Sequence, residues 1–282
     1  MAEVSGLFVY PVKSLRGISL ESSVLGIRGL QWDRLWMVTD QSGNFVTQRN
    51  LPRMASVSVA ITDETLCLSH ADHGDCPVPL VMAENTTAVK AVVWGDECDA
   101  FDEGNIVSEW LTGVLGEWKG QSLRLVRFCE NYQRQVDPEY TKADVAHTAF
   151  SDGFPLLVTS EASLEALNQS LSAKGASQVT MERFRPNIVL KNTVAFEEDR
   201  VDQLMSDKGF VLALRKPCQR CKVTSIDQLS GEIAEPKEPL ATLIAMKTQP
   251  DLKGAFFGQN GILLSGEGSV IQVGDLLEIS LK

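Results

Sequence analysis

Residues 215–227 read RKPCQRCKVTSID and place two cysteines, Cys218 and Cys221, in a short segment rich in positive charge. The four cations of this segment are Arg215, Lys216, Arg220 and Lys222. Neighbouring cations stabilise a thiolate, which is the form of cysteine that binds a soft metal or attacks an electrophile. The apolar residues 209–214 predict a strand before the cysteines, and the alternation at 223–227 predicts a second strand after them. The sequence therefore predicts a basic turn that carries two thiols between two strands.

The Cys-x-x-Cys spacing fits four interpretations. It could be half of a zinc site, but zinc takes four ligands and the chain has no second Cys-x-x-Cys. It could be a thioredoxin-like dithiol, although that motif lies at a helix N-terminus and a strand is predicted here. One thiolate could bind the metal of a cofactor whose anionic parts contact the cations. The segment could also be a basic turn with two ordinary cysteines, and the spacing alone leaves the choice open.

The composition is that of an acidic globular protein. The 282 residues suffice for one large or two ordinary domains with a substantial core. With 26 Lys and Arg against 37 Asp and Glu, the net charge is −11. This charge argues against nucleic acid or an anionic membrane as a partner, because phosphate binding needs an excess of cations. The six cysteines, the lack of a secretory signal and the lack of a membrane-spanning apolar run predict a cytoplasmic protein with free thiols.

The N-terminal third is predicted to consist of closely spaced strands. Three pairs of apolar runs flank short polar turns, as in β-hairpins. The pairs are 35–39 with 45–47, 56–61 with 65–69, and 86–94 with 98–101. Strands at this spacing favour a barrel or a sandwich over βαβ units.

Polar residues cluster where these strands end, at Lys13, Ser14, Arg34 and Arg49. Arginine offers a planar fork of donors to a phosphate, and lysine and serine add single donors. Together they predict an anion-binding barrel mouth, although for any one of them taken alone an ordinary polar loop is the favoured interpretation.

Two amphipathic helices are predicted in the middle of the chain, at 105–115 and 160–171. Ser160 is the predicted N-cap of the second helix, which follows a strand at 155–159. Asp152 lies in the loop before that strand. The free N–H groups of a helix that starts at a strand end form a candidate anion site.

The segment RFRPNIVL at 183–190 combines a short buried strand with alternating polar residues. If the strand starts early, Arg183, Arg185 and Asn187 point to one side. Two guanidinium groups on one face repel each other unless an anion lies between them. Salt bridges to nearby glutamates are the alternative interpretation.

A second group of possible metal ligands is His70, His73 and Cys76. These residue types bind metals such as zinc. Their segment has the composition of an exposed loop and lacks a fourth ligand, so an exposed polar loop is the favoured interpretation.

Five motifs, in this order, resemble those of MOSC-domain proteins with an N-terminal MOSC β-barrel. They are YPVKS at 10–14, DRLW at 33–36, VTQR at 46–49, FRPN at 184–187 and CQRC at 218–221. The likeness covers nearly the whole chain and is closest to the branch that contains the mitochondrial amidoxime reducing component and its bacterial relatives. It implies an α+β, predominantly β, fold with a few helices. In that fold an N-terminal β-barrel domain at 1–120 packs on a MOSC β-barrel domain at 121–282.

The resemblance also implies a molybdenum cofactor, a pterin dithiolene that carries a phosphate and an oxo-molybdenum centre. It implies that Cys221, the second cysteine of CQRC, is the catalytic metal ligand, and a soft thiolate suits this metal. The implied cofactor-binding residues are Lys13, Ser14, Arg34, Arg49, Asp152, Ser160, Arg185, Asn187 and Arg220. Pyridoxal phosphate binding is a further expectation at the level of the family.

The implied reaction is the two-electron reduction of small N-hydroxylated compounds such as amidoximes and hydroxylamines. No cysteine follows Cys221, so the expected electron source is an external flavin reductase or ferredoxin-like protein. Two alternatives stay open. One is a molybdenum cofactor carrier or sulfur-transfer module, in which Cys218 or Cys221 holds a persulfide. The other is a barrel whose basic mouth binds an unrelated anion.

Overall fold

The computed structural model describes all 282 residues and consists mainly of strands. The strands are β1 (Ala2–Val9), β2 (Val12–Lys13), β3 (Ile18–Leu20), β4 (Ser22–Gly26), β5 (Gly29–Leu30), β6 (Trp36–Thr39), β7 (Ser58–Ile61), β8 (Thr65–His70), β9 (Gly74–Pro79), β10 (Thr87–Val93), β11 (Asp96–Asp102), β12 (Arg124–Phe128), β13 (Arg134–Gln135), β14 (His147–Thr148), β15 (Leu156–Ser160), β16 (Ile188–Lys191), β17 (Val201–Ser206), β18 (Val211–Gln219), β19 (Phe256–Ser265), β20 (Val270–Gln272) and β21 (Leu276–Leu281). The α-helices are α1 (Asn105–Leu115), α2 (Pro138–Thr141), α3 (Glu161–Ala173) and α4 (Leu240–Met246). Short 3₁₀ helices lie at Pro52–Ser56, Met181–Phe184, Glu197–Arg200 and Lys222–Ser225. None of the helices combines the length and the apolar character of a membrane span. The predicted α+β, mainly β, fold is confirmed.

Seven strands close into a barrel. Around the ring they follow the order β1, β16, β15, β19, β18, β17 and β21, and β21 pairs with β1 to complete the circle. All neighbours are antiparallel except β15 and β16. Parallel strands need a crossover connection, and α3 lies in that connection. Buried side chains such as Val4, Leu7, Leu204 and Leu212 fill the interior, and closure removes the unpaired edges that an open sheet would expose.

The N-terminal half contains a five-stranded sheet, ordered β10-β11-β12-β6-β2, and a three-stranded sheet, ordered β7-β8-β9. Its largest core includes Trp36, Leu66 and Leu111. The hairpins β7–β8 and β10–β11 confirm two of the three predicted pairs. The third pair, 35–39 with 45–47, is joined by one bridge between Thr39 and Phe45.

Strands cross between the two halves at both ends of the N-terminal half. Strand β1 comes first in the chain but lies in the C-terminal barrel, between β16 and β21. Strand β12 follows residue 120 but pairs with β6 and β11 in the N-terminal sheet. The division at residue 120 remains a prediction about domains, and the two halves share strands on either side of it.

Both predicted helices are confirmed. Helix α1 buries Val107, Leu111 and Val114 on one face and ends at Gly116, whose φ of 82° suits glycine. Helix α3 begins after Ser160, whose hydroxyl accepts a hydrogen bond from the Ser163 N–H at 3.2 Å. That bond satisfies one of the free donors of the first helical turn.

The strand predicted at 223–227 is wrong. Residues Lys222–Ser225 form a 3₁₀ helix, in which the Cys221 carbonyl accepts hydrogen bonds from the N–H and the hydroxyl of Thr224. The preceding strand, β18, is longer than predicted and includes Pro217. Its pairing with β19 shifts register on both sides of Pro217, and such irregularities are where a strand tolerates the missing N–H of proline. The two cysteines therefore lie at the end of a barrel strand, where the chain turns into a short helix.

Candidate functional site

An open cavity lies between the two halves and brings together nine of the ten residues named from the sequence. These nine are Lys13, Ser14, Arg34, Arg49, Asp152, Arg185, Asn187, Arg220 and Cys221. They come from segments far apart in the chain, which meet at one end of the barrel. The central cavity, as it is called below, has a cationic wall and a thiol-bearing wall.

The first part of the cationic wall is built around Asp152. Its carboxylate pairs with the Lys13 ammonium and, at 3.3 Å, with the Arg49 guanidinium. The Lys13 ammonium also donates to the Phe150 carbonyl at 2.7 Å. Burial favours the neutral acid at Asp152, but the adjacent Lys13 and Arg49 outweigh it and hold the pKa of Asp152 well below its usual range. Asp152 is thus a carboxylate that fixes two cations at the cavity.

The second part consists of Arg34 and Arg185 stacked on Tyr10. Each guanidinium carbon lies 4.2 Å from the centre of the Tyr10 ring, within the range of a cation–π contact. The Nη1 atom of Arg34 contacts both carboxylate oxygens of Asp33, at 2.7 and 2.6 Å. Arg185 donates to the Leu15 carbonyl at 2.8 Å, and burial lowers its pKa to about 10.

One nitrogen of Arg185 has no partner. Its Nη2 atom is buried and makes no hydrogen bond within the protein. A buried guanidinium nitrogen without an acceptor is costly, and an anionic ligand would remove that cost. Arg185 therefore has an unmet need for an acceptor, as does Arg220, whose buried Nε atom also lacks a partner.

Three cavity residues have left-handed backbone conformations, with φ values of 70° at Ser14, 49° at Arg34 and 54° at Arg185. This region is unfavourable for residues other than glycine, and such strain clusters at functional sites. At Arg185 the conformation ends the 3₁₀ helix Met181–Phe184 and turns the chain towards β16.

That turn overturns the prediction that Arg183, Arg185 and Asn187 point to one side. Arg183 instead donates to the Ser225 carbonyl at 3.2 Å and lies 3.6 Å from the Asp227 carboxylate. The strand that would have aligned the three residues begins only at Ile188. Asn187 remains at the cavity, where its side-chain oxygen accepts from Arg34 at 3.2 Å and from the Leu157 N–H at 3.1 Å.

The thiol-bearing wall contains Cys218, Arg220 and Cys221. Arg220 reaches back to Cys218, with its Nη1 atom 2.8 Å from the sulfur, and donates to the Phe184 carbonyl at 2.6 Å. Burial opposes the charge on Arg49, but nearby Asp152 and Cys221 raise the pKa of Arg49. Both cysteines are unpaired, so the wall offers two free thiols beside guanidinium groups.

Ser160 is the one predicted cavity residue that lies elsewhere. Its hydroxyl is fully buried at the start of α3 and donates to the Glu198 carboxyl at 3.0 Å. The Ser163 hydroxyl donates to the same oxygen at 2.9 Å. The helix N-terminus predicted as a site for an external anion is therefore covered by a carboxyl group of the protein itself.

Sequence reasoning missed Arg134 and Gln228, which shape the site, and the contact that Gln48 makes with Gln228. Arg134 holds the 149–152 loop through bonds from one guanidinium to the carbonyls of Ala149, Ser151 and Asp152. Gln48 and Gln228 form a reciprocal amide pair at 3.1 and 3.0 Å, which joins the two halves below Arg185. These contacts span many residues of sequence, so no local pattern indicates them.

The possible metal ligands His70, His73 and Cys76 do not assemble. The structure contains no group of three or more His, Cys, Asp or Glu side chains suited to a metal ion. His70 and His73 lie at the β8–β9 turn with ring centres 5.5 Å apart, and Cys76 is buried in β9.

Comparison with known proteins matches both halves of the chain. Residues 1–118 match the MOSC N-terminal beta barrel domain, and residues 146–278 match the MOSC domain. The human mitochondrial amidoxime-reducing component 1 is 35% identical over 286 aligned residues, which cover 96% of this chain and 81% of that protein. The chain belongs to the MOSC family. The mouse mitochondrial amidoxime-reducing component 1 is 34% identical over 96% of this MOSC protein and 80% of the mouse chain. The bovine molybdenum cofactor sulfurase is 28% identical over 81% of the MOSC protein but only 27% of its own length.

Proposed function

We propose that this MOSC protein is a molybdenum-cofactor-dependent reductase of small N-hydroxylated compounds. The observation that carries the proposal is a cavity with a free thiol, Cys221, facing a cationic wall in which Arg185 has a buried nitrogen without a partner. A soft metal suits the thiol and a phosphate-bearing pterin suits the cations. The names of the relatives, amidoxime-reducing components and a molybdenum cofactor sulfurase, fit the same chemistry.

The residues of the cavity fit such a cofactor. Lys13, Ser14 and Arg185 would hold its anionic end, and Arg34, Asn187 and Arg220 would contact the pterin. Arg49 and Asp152 would complete the polar wall, and Cys221 would bind the metal. When bound, the cofactor supplies two-electron redox chemistry at the metal, while the protein positions and tunes it.

The contribution of the protein itself is to place charged side chains at the cavity. The ionised Asp152 carboxylate pairs with Lys13 and Arg49 and so fixes both side chains at the cavity. Burial lowers the pKa of Lys13, and the adjacent Asp152 carboxylate opposes that shift. The Lys13–Asp152 pair thus holds the buried amino group of Lys13 in place at the cavity. Binding of an anion does not then require a flexible side chain to become ordered.

Electrons would come from an external donor, a flavin reductase or a ferredoxin-like protein, and the substrate would be a small N-hydroxylated molecule. A cytoplasmic location also stays a prediction. Pyridoxal phosphate, the other cofactor expected from the family, forms no part of the proposal.

The test is to replace Cys221 by serine and to measure bound molybdenum and pterin in protein from cells that make the cofactor. Serine keeps the size of the side chain but removes the soft thiolate, so we expect about one metal per chain in the wild type and almost none in Cys221→Ser. Benzamidoxime reduction with a chemically reduced dye should be lost in parallel.

The matched control is Cys218→Ser, which removes a neighbouring thiol of the same cavity. It should retain the metal. Equal metal in all three proteins would move the ligand away from Cys221, and metal and pterin in none would reject the proposed cofactor.

A sulfur-transfer role is the second candidate, and the contact between Arg220 and the Cys218 sulfur favours it. A guanidinium that donates to sulfur stabilises a thiolate or a persulfide. Protein that retains the cofactor but reduces no N-hydroxylated compound, and that carries a persulfide at Cys218 by mass spectrometry, would support this role over reductase activity.

A further inference from the structure

A second groove opens beside the central cavity. It is lined by Phe45, Arg49, Asn50, Trp94, Trp118 and Lys119 and is called the side groove below. Arg49 belongs to both sites, and Trp94 donates its indole N–H to Asp152 of the central cavity at 2.9 Å. The side groove therefore continues directly from the central cavity, with Arg49 and Trp94 at the junction.

The side groove exposes aromatic rings at an energetic cost. Trp94 is 52% exposed and lies in the left-handed region, with φ of 53°, at the turn of the β10–β11 hairpin. Such turns favour Asn, Asp or Gly, because a bulky residue is strained there. The Phe45 ring lies 5.1 Å from Trp94, and the Arg49 guanidinium lies 4.7 Å from the Trp94 ring. A strained, half-exposed tryptophan fixed against a candidate active site indicates a binding role.

The charges of the side groove select against cations. The charge of Arg49 is paired with Asp152, whereas Lys119, which lies over the Trp118 ring at 5.6 Å, forms no salt bridge. The carboxylate of Asp40, also in this groove, is already engaged by the N–H groups of Ser42 and Asn44. A neutral flat ring can stack here, whereas a cationic ligand meets the like charge of Lys119.

We propose that the side groove binds the ring of neutral aromatic N-hydroxylated substrates while their N–O end enters the central cavity; this inference rests on the proposed function. In the reduction, an amidoxime takes up two electrons from the external donor and two protons. Its N–O bond breaks, an amidine remains and the oxygen leaves as water. An amidoxime is a weak base and is neutral near pH 7, whereas the amidine is a strong base and becomes a cation. The Lys119 charge therefore favours the neutral substrate over the cationic product, which promotes product release.

The first test measures binding without turnover. In Cys221→Ser protein, NMR titrations would give the affinities of benzamidoxime, acetamidoxime and benzamidine. We expect benzamidoxime to bind about tenfold more tightly than acetamidoxime, because only the former has a ring to stack. Adding Trp118→Ala should weaken benzamidoxime about tenfold and change acetamidoxime less than twofold. An equal change for both compounds, or no change, would overturn the inference.

The second variant, Lys119→Glu, tests the charge and does not depend on removing a packed tryptophan. Replacing the exposed cation by an anion should reverse the preference, so that benzamidine binds more tightly than benzamidoxime. If the Cys221→Ser protein without Lys119→Glu already binds benzamidine more tightly than benzamidoxime, the charge argument is overturned.

Turnover then separates the two proposals. In cofactor-loaded protein, Trp118→Ala should raise KM for benzamidoxime about tenfold and leave KM for acetamidoxime within twofold, with equal bound molybdenum. Ring-selective binding in a protein that reduces neither compound would reject the proposed function but keep the aromatic site. Reduction of both compounds with no effect of Trp118→Ala would support the proposed function and reject the aromatic site.

Discussion

Replacing Arg134 by alanine is expected to lower the free energy of unfolding by about 4 kcal/mol, because two buried carbonyl groups lose their donors. The Arg134 side chain is only 5% exposed and donates to the Ala149 and Ser151 carbonyls at 2.9 and 2.6 Å. Its bond to Asp96 adds little, because that carboxylate is 55% exposed. Guanidinium chloride unfolding of both proteins measures the difference.

The same substitution should impair the site from a distance. The 149–152 loop supplies the Phe150 carbonyl and the Asp152 carboxylate that hold Lys13. Without Arg134 the loop loses its fixed position, so retained cofactor should fall together with stability. Arg134→Lys keeps the charge but loses the fork of donors. Its stability and its cofactor content should therefore lie between those of the wild type and those of Arg134→Ala.

The control is Lys90→Ala, which removes an exposed cation paired with Asp99 on the β10–β11 hairpin. It should leave unfolding and cofactor content unchanged. An Arg134→Ala protein as stable as the wild type would show that the loop carbonyls find other donors. Arg134 would then not be needed to hold the 149–152 loop at the site.

Replacing Glu198 by glutamine is expected to make the protein more stable at pH 8 and to remove a decline in stability between about pH 4.5 and 7. Burial raises the pKa of Glu198 from 4.5 to about 7, although the hydroxyls of Ser160 and Ser163 donate to it. The folded state thus holds a proton that the unfolded chain releases at lower pH. The stabilisation is complete below pH 4.5 and is lost as the pH rises through 7, and the shift corresponds to roughly 3 kcal/mol.

Urea unfolding at half-unit pH intervals would test this prediction. Glutamine has the shape of the protonated acid and cannot ionise, so the stability difference between the two proteins should change by roughly 3 kcal/mol across the interval. Glu197→Gln, on the same 3₁₀ turn but half-buried, is the matched control and should keep the decline. A difference that does not vary with pH would show that Glu198 already carries its charge in the folded protein at pH 5.

The sequence predicted those parts of the fold that depend on local patterns. Helix α1 follows from its apolar stripe and Gly116, and the β10–β11 hairpin follows from two apolar runs around a polar turn. The strand prediction failed at Lys222–Ser225. The residues alternate there as in a strand, but hydrogen bonds to the Cys221 carbonyl form a helical turn. Sequence reasoning also misplaced Arg183, because the left-handed turn at Arg185 has no signature in residue type.

The site was predictable mainly through its motifs. Polar residues at strand ends indicated an anion site, and nine of the ten named residues line the central cavity. The position of Ser160 could not be inferred, because its capping role is local but its partner Glu198 is 38 residues away in the chain. Arg134 and the Gln48–Gln228 pair were missed for the same reason, since their contacts form only after the halves have packed.

The strand crossing between the halves has a consequence for how the protein folds during synthesis. Strand β1 is synthesised before every other barrel strand, yet one of its neighbours, β21, is synthesised after all of them. At about 5–20 residues per second, the ribosome needs tens of seconds to supply that partner. Until then the Ala2–Glu3 end of β1 lacks the neighbour that β21 provides, whereas Leu7–Val9 can already pair with β3. Barrel closure therefore waits for β21, and a barrel that is still open exposes a strand edge that other chains can capture.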